Sequence, residues 1–407
     1  MLYQHLYPCL VAVLTCTMYN VGLFIGIRGL VDTCRTHKQA HLFYVFARLI
    51  ALHKIYQSMA RKDLAQAKDA KKDEFYTQLD DIAKELKYYK PYFKDKVVFC
   101  NCDDPYESNF FKYFALNFNA LGLRKLIATC YNGSPVSGNE LLLDFGTTVD
   151  DPKKIAYKVE ITEVTDTNGD GAINLADIQY LMQNDKNVIS ILQGNGDFRS
   201  PECVELLKQA DIVVTNPPFS LFREYLAQLD QYNKQFVIVG NTNALTYKEV
   251  FRMFQADKIR TGYTNFNVGM FFAVPDTYEK FHHMENGKKM ARVSTSCWFT
   301  NLPVKRHADF LDLYKHYTPE AYPKYDNYDA INVNTYTDIP CDYEGVMGVP
   351  ITFLDKYNPD QFEILGLSAS AGYNEEVVGI PFLGDKDARP LINGKNTYAR
   401  IFICRKK

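Results

Sequence analysis

The sequence predicts an α/β fold built on a largely parallel sheet, and three observations carry that expectation. Short runs of apolar, β-branched residues recur at 96–100, 125–130, 211–215 and 235–240. Stretches of helical periodicity lie between them: one ending at Tyr89, one in which Phe110, Phe111, Phe114 and Phe118 recur, and one over 220–229. The runs are also apolar on successive residues rather than alternate ones, as strands covered by helices on both faces are.

The 58 residues before this alternation differ from the rest. Residues 6–27 carry no charge, and Arg28, Arg35, Lys38, Arg48 and Lys54 follow. A bilayer needs about 20 apolar residues, so this run is long enough for an anchor that would leave the bulk of the chain in the cytoplasm. Thr15, Thr17 and Asn20 weaken that reading, and no small-residue cleavage site follows the run. The other reading takes Met59-Ala60-Arg61-Lys62 as a natural start and residues 1–58 as an upstream extension. Residues 62–72 form a charged, Ala-rich lead-in.

After the first run comes a polar turn, Asn101-Cys102-Asp103-Asp104-Pro105. Residues 131–195, rich in Gly, Ser, Asn and Asp, read as an insertion. Ser200 is placed to cap a helix whose first turn holds Pro201. Beyond Ala256 the alternation weakens into short apolar runs at 268–274 and 293–299. Arg260, Lys280, Lys288, Lys289, Arg292, Lys305 and Arg306 stand there among aromatics. At 407 residues the chain is too long for one compact core. A net charge of −2 gives no global basic signal, so any nucleic-acid face is local. The ten cysteines are scattered without zinc spacing, as reduced, mostly buried thiols would be.

Asn216-Pro217-Pro218-Phe219 stands where the run at 211–215 ends and a helix begins. In open α/β sheets that is where ligands bind. Two successive prolines fix φ twice and remove two donors, and Asn216 is pushed out of the helical region by the proline that follows. The turn therefore offers an amide side chain, a carbonyl and an aromatic face in one place. An exocyclic amine on adenine is a poor nucleophile because its lone pair is delocalised into the ring. Acceptors on both N–H bonds, here the Asn216 side chain and the Pro217 carbonyl, would free that lone pair while Phe219 stacks on the base. The plain alternative is an ordinary turn. The buried run before it and the phenylalanine in fourth place favour the ligand role. Asp103 is placed to accept from a ligand amine or hydroxyl, or else to cap the following helix. Asp197-Phe198 offers an acceptor and a stacking face for an adenine ring, or else is a surface turn.

The chain resembles the EcoRI-type adenine-specific DNA methyltransferases, the modification half of a restriction–modification pair. The resemblance is carried by Asp73-Glu74-Phe75-Tyr76-Thr77-Gln78, by 97–105, by Ser108-Asn109-Phe110-Phe111-Lys112-Tyr113-Phe114, and by Gly196-Asp197-Phe198-Arg199-Ser200. Residues 211–225, 246–251, 323–333 and 345–354 extend it. It covers about residues 59–406, with 131–195 outside it. It implies a Rossmann-like S-adenosylmethionine-dependent methyltransferase sheet over 59–256 and a target-recognition region over 257–407. Phe75, Tyr76 and Thr77 would line the methionine end of the cofactor. Asn101 and Asp103 belong to a turn that would replace the family's glycine-rich motif, although it holds no glycine. Asp197 and Phe198 would hold the cofactor adenine. Asn216, Pro217, Pro218 and Phe219 would grip a target adenine flipped out of double-stranded DNA. The resemblance also implies a monomer in the cytoplasm and a cognate restriction endonuclease that it need not touch. Two other readings stand beside it: an RNA or protein-glutamine methyltransferase with the same turn, and a calcium-stabilised interaction module with an inactive core.

The calcium reading comes from the insertion. Asp166, Asn168 and Asp170 take the first, third and fifth places of an EF-hand-like loop, Gly171 the sixth and Asp177 the last. Oxygen ligands at this spacing suit a hard cation. The plain alternative is a polar turn.

Overall fold

The structure is a computed structural model. It describes residues 76–102, 104–105, 108–131, 156–167, 169–184, 188–274, 278, 281–368, 378–384 and 388–406. The expectations for residues 1–72, for Phe75, for Asp103 and for Asn168 lie outside the described residues.

The chain enters through a two-residue strand, β1 (Tyr76–Thr77), and helices α1 (Leu79–Leu86) and α2 (Lys90–Phe93). Strand β2 (Val97–Cys100) follows, then α3 (Asn109–Leu116), α4 (Phe118–Leu121) and β3 (Lys125–Thr129). The expected insertion contributes β4 (Tyr157–Ile161), α5 (Leu175–Asn184) and β5 (Ile189–Ile191). Next come α6 (Pro201–Gln209), β6 (Ile212–Thr215), α7 (Phe222–Gln231), β7 (Gln235–Asn241) and α8 (Lys248–Gln255). All four apolar runs are strands. Ser200 caps α6 as expected, its hydroxyl accepting from the Cys203 N–H at 3.2 Å.

The remainder is β-rich: β8 (Arg260–Thr261), β9 (Met270–Val274), β10 (His283–Glu285), β11 (Lys288–Val293), β12 (Ser296–Thr300), β13 (Ile331–Asn332), β14 (Met347–Pro350), β15 (Phe362–Leu367), β16 (Leu391–Ile392), β17 (Lys395–Asn396) and β18 (Arg400–Arg405).

The main sheet runs β5-β4-β3-β2-β6-β7-β12-β8. Its centre, β3-β2-β6-β7, is parallel. Both flanks are antiparallel, so the sheet is mixed rather than largely parallel. The alternating exposure of Tyr157–Ile161 suits a strand covered on one face. Within β2, Val97 and Phe99 face α6, α7 and α8, whereas Val98 and Cys100 face α1 to α4. Burial on both faces is what makes the central runs apolar at every residue.

A second sheet, β1-β9-β11-β10, joins the first strand to the 270–293 segment. A third, β13-β14-β18-β15, packs against the α7–α8 side in the same core as the main sheet. The chain beyond Ala256 is thus not set apart from what precedes it: β8 and β12 complete the main sheet, and residues 70–407 form one compact unit. Among the described residues, all seven cysteines are free, with Cys100, Cys130, Cys203 and Cys297 buried. No described helix is long and apolar enough to cross a membrane.

His307 lies in this shared core. Its Nδ1–H donates to the Tyr357 carbonyl at 2.9 Å, and Thr261 Oγ1 lies 3.4 Å from Nε2. Burial, and then the charge of Arg306, lowers its pKa from 6.5 to about 4. The neutral ring is therefore the folded form. Its contribution is complete above 6.5 and is lost as pH falls through about 4, because only the unfolded chain takes up the proton in between. The loss is about 3 kcal/mol. In urea titrations from pH 7.5 to 4, His307→Asn should lose less stability than the wild type by about that amount.

Candidate active site

The first strand of the parallel core, β2, leads to β3 on one side, while β6 pairs with its other edge. The chain order reverses there, and the crevice at the carboxyl ends of β2 and β6 is where such a sheet binds ligands. Asn101 ends β2, and Thr215-Asn216 end β6. The Thr215 hydroxyl donates to the Asn101 carbonyl, and the Tyr225 hydroxyl donates to Asn101 Oδ1. Thr215 and Tyr225 are fully buried, and Asn101 is nearly so. These bonds fix the ends of both strands before any ligand arrives. They also give the Asn101 side chain a holding role within the fold.

The turn after β2 has no glycine, but Cys102 adopts φ of 79°. A non-glycine residue there is strained, which is the kind of cost that persists where the surroundings over-determine the backbone. Asp104 is buried and accepts from the Tyr157 hydroxyl at 2.9 Å. The inserted segment thus buttresses the turn that carries Asp103.

Asn216 is buried, and the turn continues through Pro217 and Pro218 into a 3-10 turn, Phe219–Leu221, that opens α7. The Phe219 ring meets Phe272 of β9 edge-on, with centroids 6.3 Å apart. Phe272 pairs in register with Thr77 of β1. The Asn109 side chain, at the start of α3, donates to the Thr77 carbonyl at 2.8 Å. Tyr76-Thr77, the turn after β2 and the turn after β6 are thereby brought to one place. Thr77 Oγ1 is buried there without a hydrogen-bond partner among the described residues. A polar atom orphaned in a crevice points to a ligand group.

Asp197 and Phe198 follow a close approach of the chain to the end of β3. Gly196 has φ of 75° and packs on the end of β3: a Cβ there would sit 2.0 Å from the Cys130 carbonyl oxygen. Only glycine lets residue 197 start so close to the strand end. Arg199 grips the Asp197 carboxylate with Nε at 2.9 Å and Nη2 at 2.8 Å, and reaches Glu224 at 2.8 Å. Burial pushes the Asp197 carboxyl up, but Arg199 more than offsets this and holds it below its ordinary value. The Phe198 ring is buried against Tyr225, with centroids 5.0 Å apart, and Arg199 covers it.

In the loop at 166–177, the Asp166 carboxylate accepts from the N–H groups of Gly169, Asp170 and Gly171. Asp177 is buried and accepts from Thr167 and Asn174. Asp170 accepts from Ala172 and from the Asn174 side chain. Each of the three aspartates is thus used by its own loop.

Sequence reasoning gave no role to Thr215, Tyr225, Asn109, Tyr157 and Phe272, although Asn109, Thr215 and Tyr225 stand in stretches that carry the resemblance. All are supporting residues. Their signal is a pairing across distant segments, which no local pattern carries.

The family model described as "Adenine-specific methyltransferase EcoRI" matches residues 63–406. The chain is 46% identical over 358 residues to the type II methyltransferase M.EcoRI of Escherichia coli, covering 86% of this chain and 98% of that protein. It is 37% identical over 350 residues to M.MgeORF184P of Mycoplasma genitalium (83% and 97% covered). It is 38% identical over 313 residues to M.MpnI of Mycoplasma pneumoniae (75% and 85%). No solved structure matches. With a mixed α/β fold, a crevice at the sheet's topological switch and an Asn-Pro-Pro-Phe turn at its edge, the chain belongs to the EcoRI family of adenine-specific methyltransferases.

Proposed function

We propose that this chain transfers a methyl group to the exocyclic N6 amine of an adenine flipped out of double-stranded DNA. The observation that carries this is the Asn216-Pro217-Pro218-Phe219 turn, which leaves β6 at the switch point beside β2 and meets β9 through Phe219 and Phe272. Methyltransferases of this kind use S-adenosylmethionine, and the sheet is read as Rossmann-like on that basis. When bound, the cofactor supplies a sulfonium methyl group as the electrophile. Thr77, whose hydroxyl is orphaned, Tyr76 and Phe75 would hold its methionine end, and the 101–104 turn with Asp103 its middle. Asp197 would meet its adenine with oxygen lone pairs that Arg199 leaves over, while Phe198 supports that wall from within the core.

The chain's own contribution is orientation and electrostatics. Asn216 Oδ1 and the Pro217 carbonyl accept the two N–H bonds of the target amine. That draws the nitrogen toward a tetrahedral shape and returns its lone pair from the ring. Pro218 stiffens the turn. Phe219, backed by Phe272, stacks on the base and replaces the stacking lost on flipping, which costs roughly a few kcal/mol. The segments around 270–293 would face the DNA. A cognate restriction endonuclease would cut the same unmodified site, and the enzyme would act as a monomer.

The test is methyl transfer from labelled cofactor to unmethylated duplex DNA, with the modified base identified and its sequence context mapped. Label on N6 of adenine at one sequence supports the reading. Label on RNA or protein alone overturns it.

Calcium at the 166–177 loop is a separate proposal. Its support is the spacing of Asp166, Asp170 and Asp177, with Gly171 at φ of 87° in the sixth place. Calorimetry should show one Ca²⁺ site in the wild type that Asp170→Ala removes. A wild-type titration without heat of binding dismisses it.

A further inference from the structure

The sheet β1-β9-β11-β10 ends in a hairpin that the site so far does not use. Its turn, Asn286-Gly287, has φ of 47° and 76°. This is the left-handed pair that closes tight two-residue hairpins with a fixed twist. The register runs from the active site to that hairpin. Thr77 pairs with Phe272, and Phe272 with Ala291. One rung further, Val274 pairs with Lys289, and Lys289 with Met284. Side chains directly opposite one another share a sheet face, and residues two apart on a strand do also. Met284 therefore lies on the face that carries Thr77 and Phe272, the residue packed on Phe219. It is two strands beyond β9, a lateral offset of about 10 Å.

Met284 is 53% exposed and Phe281 41% exposed. A large apolar side chain near a hairpin tip gains nothing there in the free protein. Cations stand on both faces of this sheet: Lys289, on the Met284 face, lies 5.2 Å from the Phe281 ring centroid, whereas Lys288, opposite Glu285 at the tip, and Arg292, exposed over Phe271, lie on the other face. An exposed apolar side chain near the tip of a hairpin with cations on both faces matches a duplex that has lost a base from its stack. The side chain fills an apolar gap between base pairs, and the cations meet phosphates on either side.

We propose that the β10–β11 hairpin enters the duplex beside the flipped adenine and that Met284 occupies the space the base vacates. Lys288 then contacts backbone phosphate, without sequence preference. This rests on the reading of the chain as a base-flipping DNA methyltransferase.

The experiment uses the full chain and a duplex carrying the mapped methylation site with 2-aminopurine in place of the target adenine, whose fluorescence rises on leaving the stack. Met284→Ala should lower the flipped population about tenfold at saturating protein, with a parallel fall in kcat. Cofactor affinity should be unchanged, and Met284→Leu should restore most of the signal. Lys288→Ala should weaken binding to all duplexes alike and reduce the slope of log K against log salt by about one. Wild-type flipping with unchanged fluorescence and kcat in Met284→Ala overturns the hairpin's role and leaves the enzyme reading intact. A wild type that methylates no DNA overturns both.

Discussion

Asn216→Ala is expected to reduce methyl transfer to DNA by about a hundred- to a thousandfold, the size of effect seen when one preorganised polar group is removed from a developing charge. The prediction follows from where the turn sits. The residue is buried at the end of β6, and the backbone before it is fixed by the Thr215 bond to Asn101. The backbone that carries its side chain is therefore held in place before any substrate arrives. The loss should fall on kcat, because the amine–acceptor bonds strengthen as the nitrogen becomes tetrahedral. Cofactor affinity, which depends on β1 and the turn after β2, should stay within about twofold. Pre-steady-state transfer from labelled cofactor reads the first quantity and equilibrium titration the second. Activity within a factor of about ten of the wild type removes the proposed role.

That the decisive turn could be found without coordinates has a physical basis. A strand buried on both faces, two prolines and an Asn are local features, and each constrains the backbone on its own. The four central strands were legible for the same reason. Tyr157–Ile161 was passed over because it lies in a polar segment, although its alternation of apolar and charged residues is the local signature of a strand covered on one face. The return of β12 to pair with β7 was not legible either, because it joins segments of long sequence separation. The role of Phe198 illustrates a third limit. Sequence shows an aromatic beside an acid, but only packing shows that its ring is spent on Tyr225 and its neighbour Asp197 is held by Arg199.

The same dependence on long-range pairing gives the second large expected effect, at Glu85. This residue of α1 is fully buried. One carboxylate oxygen accepts from the Tyr263 N–H at 2.7 Å and the Tyr89 hydroxyl at 2.9 Å. The other accepts from the Thr264 N–H and the Thr264 hydroxyl, both at 2.7 Å. Burial raises the carboxyl above its ordinary value, and the bonds from Thr264, Tyr263 and Tyr89 pull it part of the way back. The acceptors hold the 262–269 loop, which delivers β9 and so places Phe272 against Phe219. Gly262 makes the approach close: a Cβ there would lie 2.3 Å from Glu85 Oε1. Glu85→Ala strands two backbone N–H groups, at about 1–3 kcal/mol each. Urea unfolding should therefore show a loss of about 2–6 kcal/mol, with activity falling as the loop loosens. Glu85→Gln turns an amide NH₂ toward one of those N–H groups and should lose about half as much. Gly262→Ala strikes the same junction from the other side and also meets Trp298 Cβ at 2.5 Å, so the double variant with Glu85→Ala should cost less than the sum by the relieved Glu85 clash alone. Additive losses, or a Glu85→Ala change under about 1 kcal/mol, would show that the loop is held by other contacts, such as the Arg306 bonds to the carbonyls of Gly262 and Tyr263.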